Sequence, residues 1–354
     1  MASDLSTALG LDIGSRYTKL VELKKSSKKI ELVRSVMAET PQQSEEIPAF
    51  IRQFLQRSQI SSSTVVWGLP KSHMALKYLQ LAPSEPEQIR KVLESEVQKL
   101  LPFPPKDITF CYHLQKKLLN KKAQILLVAL RKDLLDQYAS LLRQGEFETR
   151  IIELSPLAQI DGYLYSYNPA SKDPIALMDI GATTTTITIL KEELLRFSRD
   201  IPIGGDTITA AIKDKLDLDW QEATEMKERI GVVLGSGETD ETSVEISYAL
   251  EPILDQLIIE TERSLKISYY IDHPDLITPQ VLVLTGGSSH LKNLDKYLEK
   301  RLNVPATRAN PFHRIEVPEG QGENAATWGI AVGLALRGLL EFPITFNLLS
   351  DREK

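Results

Sequence analysis

The sequence predicts a duplicated α/β fold of two lobes, with a small α+β subdomain inserted into the first. Three observations carry this expectation. The chain has 354 residues, more than the ~250–300 at which one hydrophobic core stops growing, so at least two lobes are expected. An aliphatic run ending in Asp-Ile-Gly occurs twice, as Leu9-Gly10-Leu11-Asp12-Ile13-Gly14-Ser15 and as Ala176-Leu177-Met178-Asp179-Ile180-Gly181-Ala182, with Thr18 and Thr185 each six residues beyond the Asp. A third aliphatic run, Val281 to Leu284, ends in Thr285-Gly286-Gly287-Ser288. The first two turns read as one motif used twice.

In order, residues 7–13 form a strand, Gly14 the turn and Lys19 to Leu23 the returning strand, and Ile30 to Val33 begins a third. Lys24, Lys25, Lys28 and Lys29 around Ser26-Ser27 read as a solvated hairpin tip. Ile47, Phe50, Ile51, Phe54 and Leu55 at helical spacing give a helix, and Val65 to Leu69 the next strand. A new unit is expected near residue 80. A capping box at Ser84 and Glu87 opens an amphipathic helix, stopped by Pro102. Alternation over Ile108, Phe110, Tyr112 and Leu114, a strand from Ala123 to Leu130 and a helix through Leu142 complete it. Ile151 to Leu154 is a strand, and Ser155-Pro156 suits the start of a helix.

The second half opens as the first does, with a strand to Ile180, the Gly181 turn, and strands at Thr186 to Leu190 and Leu194 to Phe197. Gly204-Gly205-Asp206 leads into a helix carrying Ile208, Ile212 and Leu216, with another around Ala223 to Ile230. Gly231 to Ser243 reads as a mobile loop or hairpin, and Val244 to Ile271 as one long helix. A leucine-striped helix is expected directly after Gly286-Gly287, and a small-residue helix over Asn324 to Leu339 is expected to pack on that glycine turn. The expected boundaries are therefore 1–79 with 151–173 for the first lobe, 80–150 for the insert, 174–342 for the second lobe and 343–354 for a tail.

Composition narrows the function classes. With 42% hydrophobic and 25% charged residues, the chain is an ordinary globular protein. A net charge of −6 gives no basic face for nucleic acid. Cys111 is the single cysteine, which excludes an internal disulfide and a cysteine zinc site and points to a reducing compartment. The five histidines show no metal-ligand spacing. Met1 to Asp4 lacks the basic start of a signal peptide, and no apolar run approaches the ~20 residues of a membrane span. Any membrane association is expected to be peripheral, through a partner and without insertion.

A turn that opens with a carboxylate and continues with glycine and small hydroxyl residues suits a nucleotide's phosphates. Backbone N–H groups bind the oxygens, glycine permits close approach, and Ser15, Thr18 and Thr183 to Thr185 offer hydroxyls, while Asp12 and Asp179 hold Mg²⁺ through water. Either copy alone is an ordinary turn; the pairing in two similarly built halves favours the phosphate reading. Gly286, Gly287 and Ser288 suit close contact with a sugar, base or phosphate, although many α/β proteins use Gly-Gly merely to enter a helix.

The order of Asp-Ile-Gly-Ser hairpin, Asp-Ile-Gly-Ala-Thr hairpin, Gly-Gly-Asp, Thr-Gly-Gly and terminal small-residue helix resembles the actin-like ATPases. It most closely resembles the PilM family of cytoplasmic type IV pilus assembly proteins. Leu101-Pro102-Phe103-Pro104, Ile203 to Thr209 and Gly333-Leu334-Ala335-Leu336-Arg337-Gly338 match its signatures. The resemblance implies an actin-like (RNase H-like) duplicated fold holding ATP or ADP with Mg²⁺ in an interlobe cleft. By it, Asp12, Gly14, Ser15, Arg16, Tyr17, Thr18 and Lys19 belong to the first phosphate loop, and Asp179, Gly181, Ala182, Thr183 and Thr184 to the second. Gly204, Gly205 and Asp206 approach the ribose, Gly286, Gly287 and Ser288 the adenosine, and Lys227 and Glu228 the adenine. Arg16 and Tyr17 depart from the small residues usual after the first Gly-Ser, and Cys111 stands where an acid is common, so binding is expected before turnover. No catalytic residue stands out. Glu153 is an acid in the right region, with a strand-end surface acid as the other reading.

The implied role is a nucleotide-stabilised scaffold of the pilus inner-membrane platform, or of a related type II secretion or competence system. It is at most a slow ATPase, cytoplasmic and peripheral to the inner membrane through a PilN-like bitopic protein, with the pilus motor ATPases and self-association as further contacts. Ile344-Thr345-Phe346-Asn347-Leu348-Leu349 alternates as an extended segment and resembles the Asn-Leu-Leu stretch of PilN's N-terminal tail. It is either a plain terminal strand or a segment that docks in its own or a neighbour's groove and competes with PilN. Rival functions are an actin-superfamily kinase or phosphatase, for which no carboxylate base is evident, and an FtsA-like filament protein, whose C-terminal amphipathic membrane helix is lacking here.

Overall fold

The computed structural model describes residues 6–27, 29–60, 64–82, 86–117, 123–144, 148–169, 173–231, 241–271, 279–344 and 346–349. The expected capping serine Ser84 and most of the Gly231 to Ser243 loop lie outside them. The chain divides into two compact units, Met1–Tyr165 with Arg314–Gln321 and Ile330–Lys354, and Ser166–His313 with Gly322–Gly329.

The first unit opens with a meander, β1 (Thr7–Ile13), β2 (Tyr17–Lys25) and β3 (Ile30–Glu39), followed by α1 (Ile47–Arg57) and β4 (Thr64–Leu69). Ile51, Phe54 and Leu55 form the buried stripe of α1, as their 3.6-residue period requires. β5 (Ala75–Leu81), α2 (Pro86–Leu100), β6 (Ile108–Lys117) and β7 (Ala123–Arg131) build the inserted layer, and α3 (Lys132–Gln144), β8 (Glu148–Leu154) and α4 (Ser155–Tyr167) return to the main one. The main sheet has the order β3-β2-β1-β4-β8, with β4 parallel to β1 and β8 parallel to β4. The insert is an antiparallel sheet β5-β7-β6, packed on Leu93 and Val97 of α2. It begins at Ala75, before the expected boundary near 80, because β5 pairs along its whole length with β7.

The second unit repeats the plan: a meander β9 (Ile175–Ile180), β10 (Thr185–Lys191) and β11 (Leu194–Ile201), then α5 (Gly205–Leu216), α6 (Trp220–Arg229) and α7 (Glu241–Ile271). β12 (Val281–Thr285), α8 (Leu294–Leu302) and β13 (Ala306–Arg308) follow. Its sheet order, β11-β10-β9-β12-β13, reproduces that of the first with β12 parallel to β9 and β13 parallel to β12. The fold is thus the duplicated α/β architecture expected. β13 is three residues long, too short for a period-2 signal in the sequence.

Two expectations are corrected. Gly286-Gly287 does not open a helix: Gly286 sits at φ +85°, a single 3₁₀ turn spans Gly287–His290, and α8 starts only at Leu294. The terminal small-residue stretch is also two pieces. Residues 324–328 close on the glycine turn, Ala326 accepting from the Gly286 N–H at 2.9 Å. The helix proper, α9 (Gly329–Leu339), belongs from Ile330 with the first unit rather than the second lobe. There it lies on β1, β4 and α4, and a Cβ built on Gly10 would stand 2.0 Å from the Ala331 carbonyl oxygen. The small residues of α9 serve this contact, and Ala326 serves the glycine turn.

Candidate functional site

The two Asp hairpins have the same internal geometry. In the first, Asp12 lies opposite Lys19 and Ile13 opposite Thr18; in the second, Asp179 lies opposite Thr186 and Ile180 opposite Thr185. Each tip closes through its glycine, Gly14 N–H to the Tyr17 carbonyl at 3.2 Å and Gly181 N–H to the Thr184 carbonyl at 2.9 Å. Each Asp also has a parallel neighbour, Gly68 for Asp12 and Thr285 for Asp179. Such equivalence over unrelated side chains reflects the repeated topology.

In the first unit Asp12 is nearly buried and accepts from Lys19 Nζ at 3.3 Å. Thr18 is fully buried and its hydroxyl meets that of Thr40 at 2.9 Å, while Thr40 donates to the Gly14 carbonyl at 2.8 Å and its N–H to the Arg16 carbonyl at 2.8 Å. The Thr18 hydroxyl is therefore spent on holding the tip. Ser15 is exposed, and Arg16, Tyr17 and Lys19 are partly so.

In the second unit the expected residues gather closely. The N–H groups of Gly205 and Asp206 donate to the carbonyls of Gly181 and Ala182 at 2.8 and 2.7 Å, so α5 begins directly on the hairpin tip. Lys227 of α6 reaches the Gly205 carbonyl at 3.3 Å, and Thr285 Oγ1 donates to Asp179 at 2.9 Å. A Cβ on Gly204 would stand 2.5 Å from the backbone carbonyl oxygen of Ala182, so glycine alone fits there, while one on Gly205 would stand 2.4 Å from Ser288 Oγ and require that hydroxyl to turn away. Gly287 faces open space. The hydroxyl of Thr185 is turned inward to the Ile203 carbonyl at 2.7 Å, and Glu228 stands exposed while Lys227 points in.

Glu153 is not a surface acid. It is fully buried at the end of β8 and takes Arg337 of α9 at 2.9 Å and the Leu154 N–H at 2.9 Å. Burial pushes its carboxyl up to about 7, against the opposing pull of Arg337 and of the Leu154 and Phe346 N–H groups. Asp161 of α4 is also buried, with Oδ2 lacking a hydrogen-bond partner among the described residues; burial, and then Glu153, raise it well above the usual carboxylate range. A folded-state value raised above the unfolded one means stability that is full below pH 4.5 and lost as pH rises through about 7. Denaturant melts between pH 5 and 8 are expected to show a decline on the order of 3 kcal/mol, at about 1.4 kcal/mol per unit. In Glu153→Gln the slope is expected to flatten; an unchanged slope would assign it elsewhere.

Residues 10–339 match the family model described as type IV pilus assembly protein PilM. The chain belongs to the PilM family. Its likeness extends to cell division protein FtsA, 32% identical over 154 residues in Pseudomonas aeruginosa, covering 39% of this chain and 36% of that protein. For FtsA of Bacillus subtilis the identity is 28% over 222 residues, covering 55% and 47%. The chain thus spans less than half the length of these relatives. Among solved structures, that of a PilM–PilN type IV pilus biogenesis complex superposes with a TM-score of 0.81 at 23% identity, over 96% of this chain and all of that one. MreB5 of Spiroplasma citri bound to ADP gives 0.57 at 12% identity, over 94% and 96%. The shared fold is actin-like.

Some residues of these two clusters, one in each unit, carry little signal in the sequence. Thr285 is visible there only as the residue before Gly-Gly, and its bond to Asp179 needs the β9–β12 register. Arg337 stands in a family signature without a role. Asp161 has a signal, an acid amid the apolar helix Ser155–Tyr167.

Proposed function

We propose that this chain is a nucleotide-stabilised scaffold of the type IV pilus inner-membrane platform. In this reading it grips the cytoplasmic N-terminal tail of a PilN-like bitopic protein and is peripheral to the membrane through that partner. Family membership supports the pilus role, and the similar solved structure, a complex of PilM with PilN, supports the partner class. Among the described residues no helix is long and apolar enough to cross a membrane.

The observation that carries the nucleotide part is the cluster of Gly181, Gly204, Gly205, Lys227, Gly286 and Ser288, where the Lys227 ammonium and the Ser288 hydroxyl stand beside Gly205 and the neighbouring Gly287 faces open space. A cation, a hydroxyl and close-packed glycines fit a phosphate-bearing ligand. Asp12 and Asp179 are the carboxylates that would hold Mg²⁺ through water, and the hairpin residues would bind the phosphates of ATP. Bound there it supplies differential affinity for one conformation, not a chemical step on the partner.

The test is titration of a PilN-type N-terminal peptide with and without ATP-Mg²⁺. Nucleotide is expected to raise peptide affinity by about fivefold or more, the lower range of allosteric coupling. Calorimetry that detects no ATP-Mg²⁺ binding would sink the nucleotide part, and equal peptide affinities would sink the coupling.

A further inference from the structure

β8 is the last strand of the main sheet of the first unit, so among the described residues one side of its backbone has no strand neighbour. An open edge of this kind accepts an extended chain through main-chain hydrogen bonds, with alternate side chains entering pockets. Here the edge is taken by the chain itself. The Leu348 N–H donates to the Ile152 carbonyl at 3.0 Å, and the Ile152 N–H donates back to Asn347 Oδ1 at 3.3 Å. Asn347 Oδ1 also accepts the Leu349 N–H at 3.1 Å, so one side-chain carbonyl serves both the receptor strand and the segment's own turn. Ile344, Phe346 and Leu348 are at most 3% exposed. Phe346 lies 5.9 Å from the His113 ring of β6, and its N–H bonds the Glu153 carboxylate.

This is the anatomy of a bound peptide: three apolar anchors at alternate positions, an Asn reading the backbone, and a main-chain bond to an edge strand. The segment is short, its described residues form no strand ladder or helix, and Pro343 precedes it. Its release would expose three apolar side chains but break no ladder of the main sheet, so it can leave without unfolding a core strand.

We propose that residues 344–349 are an exchangeable strap that occupies the β8 edge in cis and so closes the groove which the scaffold reading gives to the partner's extended peptide. Binding of a matching peptide in trans then requires the strap to leave, so the docked state is self-closed. The trans peptide rests on that reading, while the strap rests on the docked segment itself.

The probe is a labelled peptide of this chain's residues 343–349, offered to the full-length protein and to a full-length Phe346→Ser/Leu348→Ser variant. The variant is expected to bind the peptide at least tenfold more tightly than the unaltered chain, and a peptide carrying Asn347→Ala is expected to lose at least tenfold. Equal affinities for the two proteins, or a folded variant that binds no peptide, would overturn the proposal. Native-state hydrogen exchange on the unaltered chain is the second readout, independent of whether the variant folds. The amides of Ile152, Leu348 and Leu349 are expected to exchange well before those of β1 and β4. Exchange of all of them only with global unfolding would equally overturn it. Failure of the PilN-type titration alone leaves these results intact, which separates this inference from the partner reading.

Discussion

Alanine at Gly333 is expected to destabilise the first unit by about 3 kcal/mol or more, the upper range for overpacking a close-packed contact. A Cβ at this position would lie 1.7 Å from the Ala158 carbonyl oxygen, 2.5 Å from its carbon and 3.1 Å from its Cα. All three are backbone atoms of α4 and cannot swing aside as a flexible side chain would. Relief therefore requires α9 to lift from α4, and the same helix is held at Gly10, where a Cβ would meet the Ala331 carbonyl oxygen, and at Gly338, where it would lie 2.6 Å from the Ala8 Cβ. The opposing effect is the better helix propensity of alanine, worth about 1 kcal/mol, which is too small to win. Gly329 supplies the control. It is helical, at φ −50° and ψ −49°, and its Cβ would meet Thr285 only at 3.5 Å, so Gly329→Ala is expected to be neutral or mildly stabilising. A Gly333→Ala protein that melts at the same denaturant concentration as the parent would show that α9 does not lie where the structure places it.

This contact marks a limit of what a sequence reveals. The repeated Asp-Ile-Gly hairpins are legible because they are local: an apolar run, an acid, a glycine and a returning strand lie within 14 residues, Thr7 to Leu20, and recur at Ala176. α5 and α6 are legible for the same reason, with α6 opened by an Asp219–Glu222 capping box. The insert is legible as a helix followed by strand, strand and helix, yet its first strand is not. β5 is half-buried over most of its length and gains its identity from pairing with β7, on the far side of α2 and β6 in the chain. α9 shows its small residues but not their use, since Gly10, Gly68 and Ala158 come together only in the folded unit. Burial of Glu153 is equally invisible. An acid near the strand end, shortly before Ser-Pro, looks solvent-facing until Arg337 and the Phe346 N–H reach it in the folded unit. Of the candidate site, the residue types are legible; which hydroxyls face inward is not, and Thr18 and Thr185 both do.

Removing the charge of Asp179 without changing its shape is expected to abolish the Mg²⁺-dependent part of nucleotide stabilisation. At a hundredfold excess over its dissociation constant, ATP-Mg²⁺ is expected to stabilise the parent protein by about 2.7 kcal/mol. Asp179→Asn keeps an Oδ1 that accepts the Thr285 hydroxyl, now at 2.9 Å, so the β9–β12 junction is retained and the unliganded melting curve is expected to stay close to the parent's. What is lost is a carboxylate able to bind a hydrated cation, whose oxygen ligands are most strongly held when charged. Addition of EDTA then separates two contributions: it is expected to reduce stabilisation by ATP in the parent and to do nothing further in the variant. Asp12→Asn is the matched case in the first hairpin, with one difference. Asp12 pairs with Lys19 at 3.3 Å in a nearly buried setting, so neutralising it leaves that ammonium without its partner and is expected to lower the unliganded stability as well. The two aspartates thus predict different signatures, ligand response alone for Asp179 and ligand response with stability for Asp12. An Asp179→Asn protein that ATP-Mg²⁺ stabilises as fully as the parent would remove the second hairpin from the nucleotide site, whatever its likeness to the first.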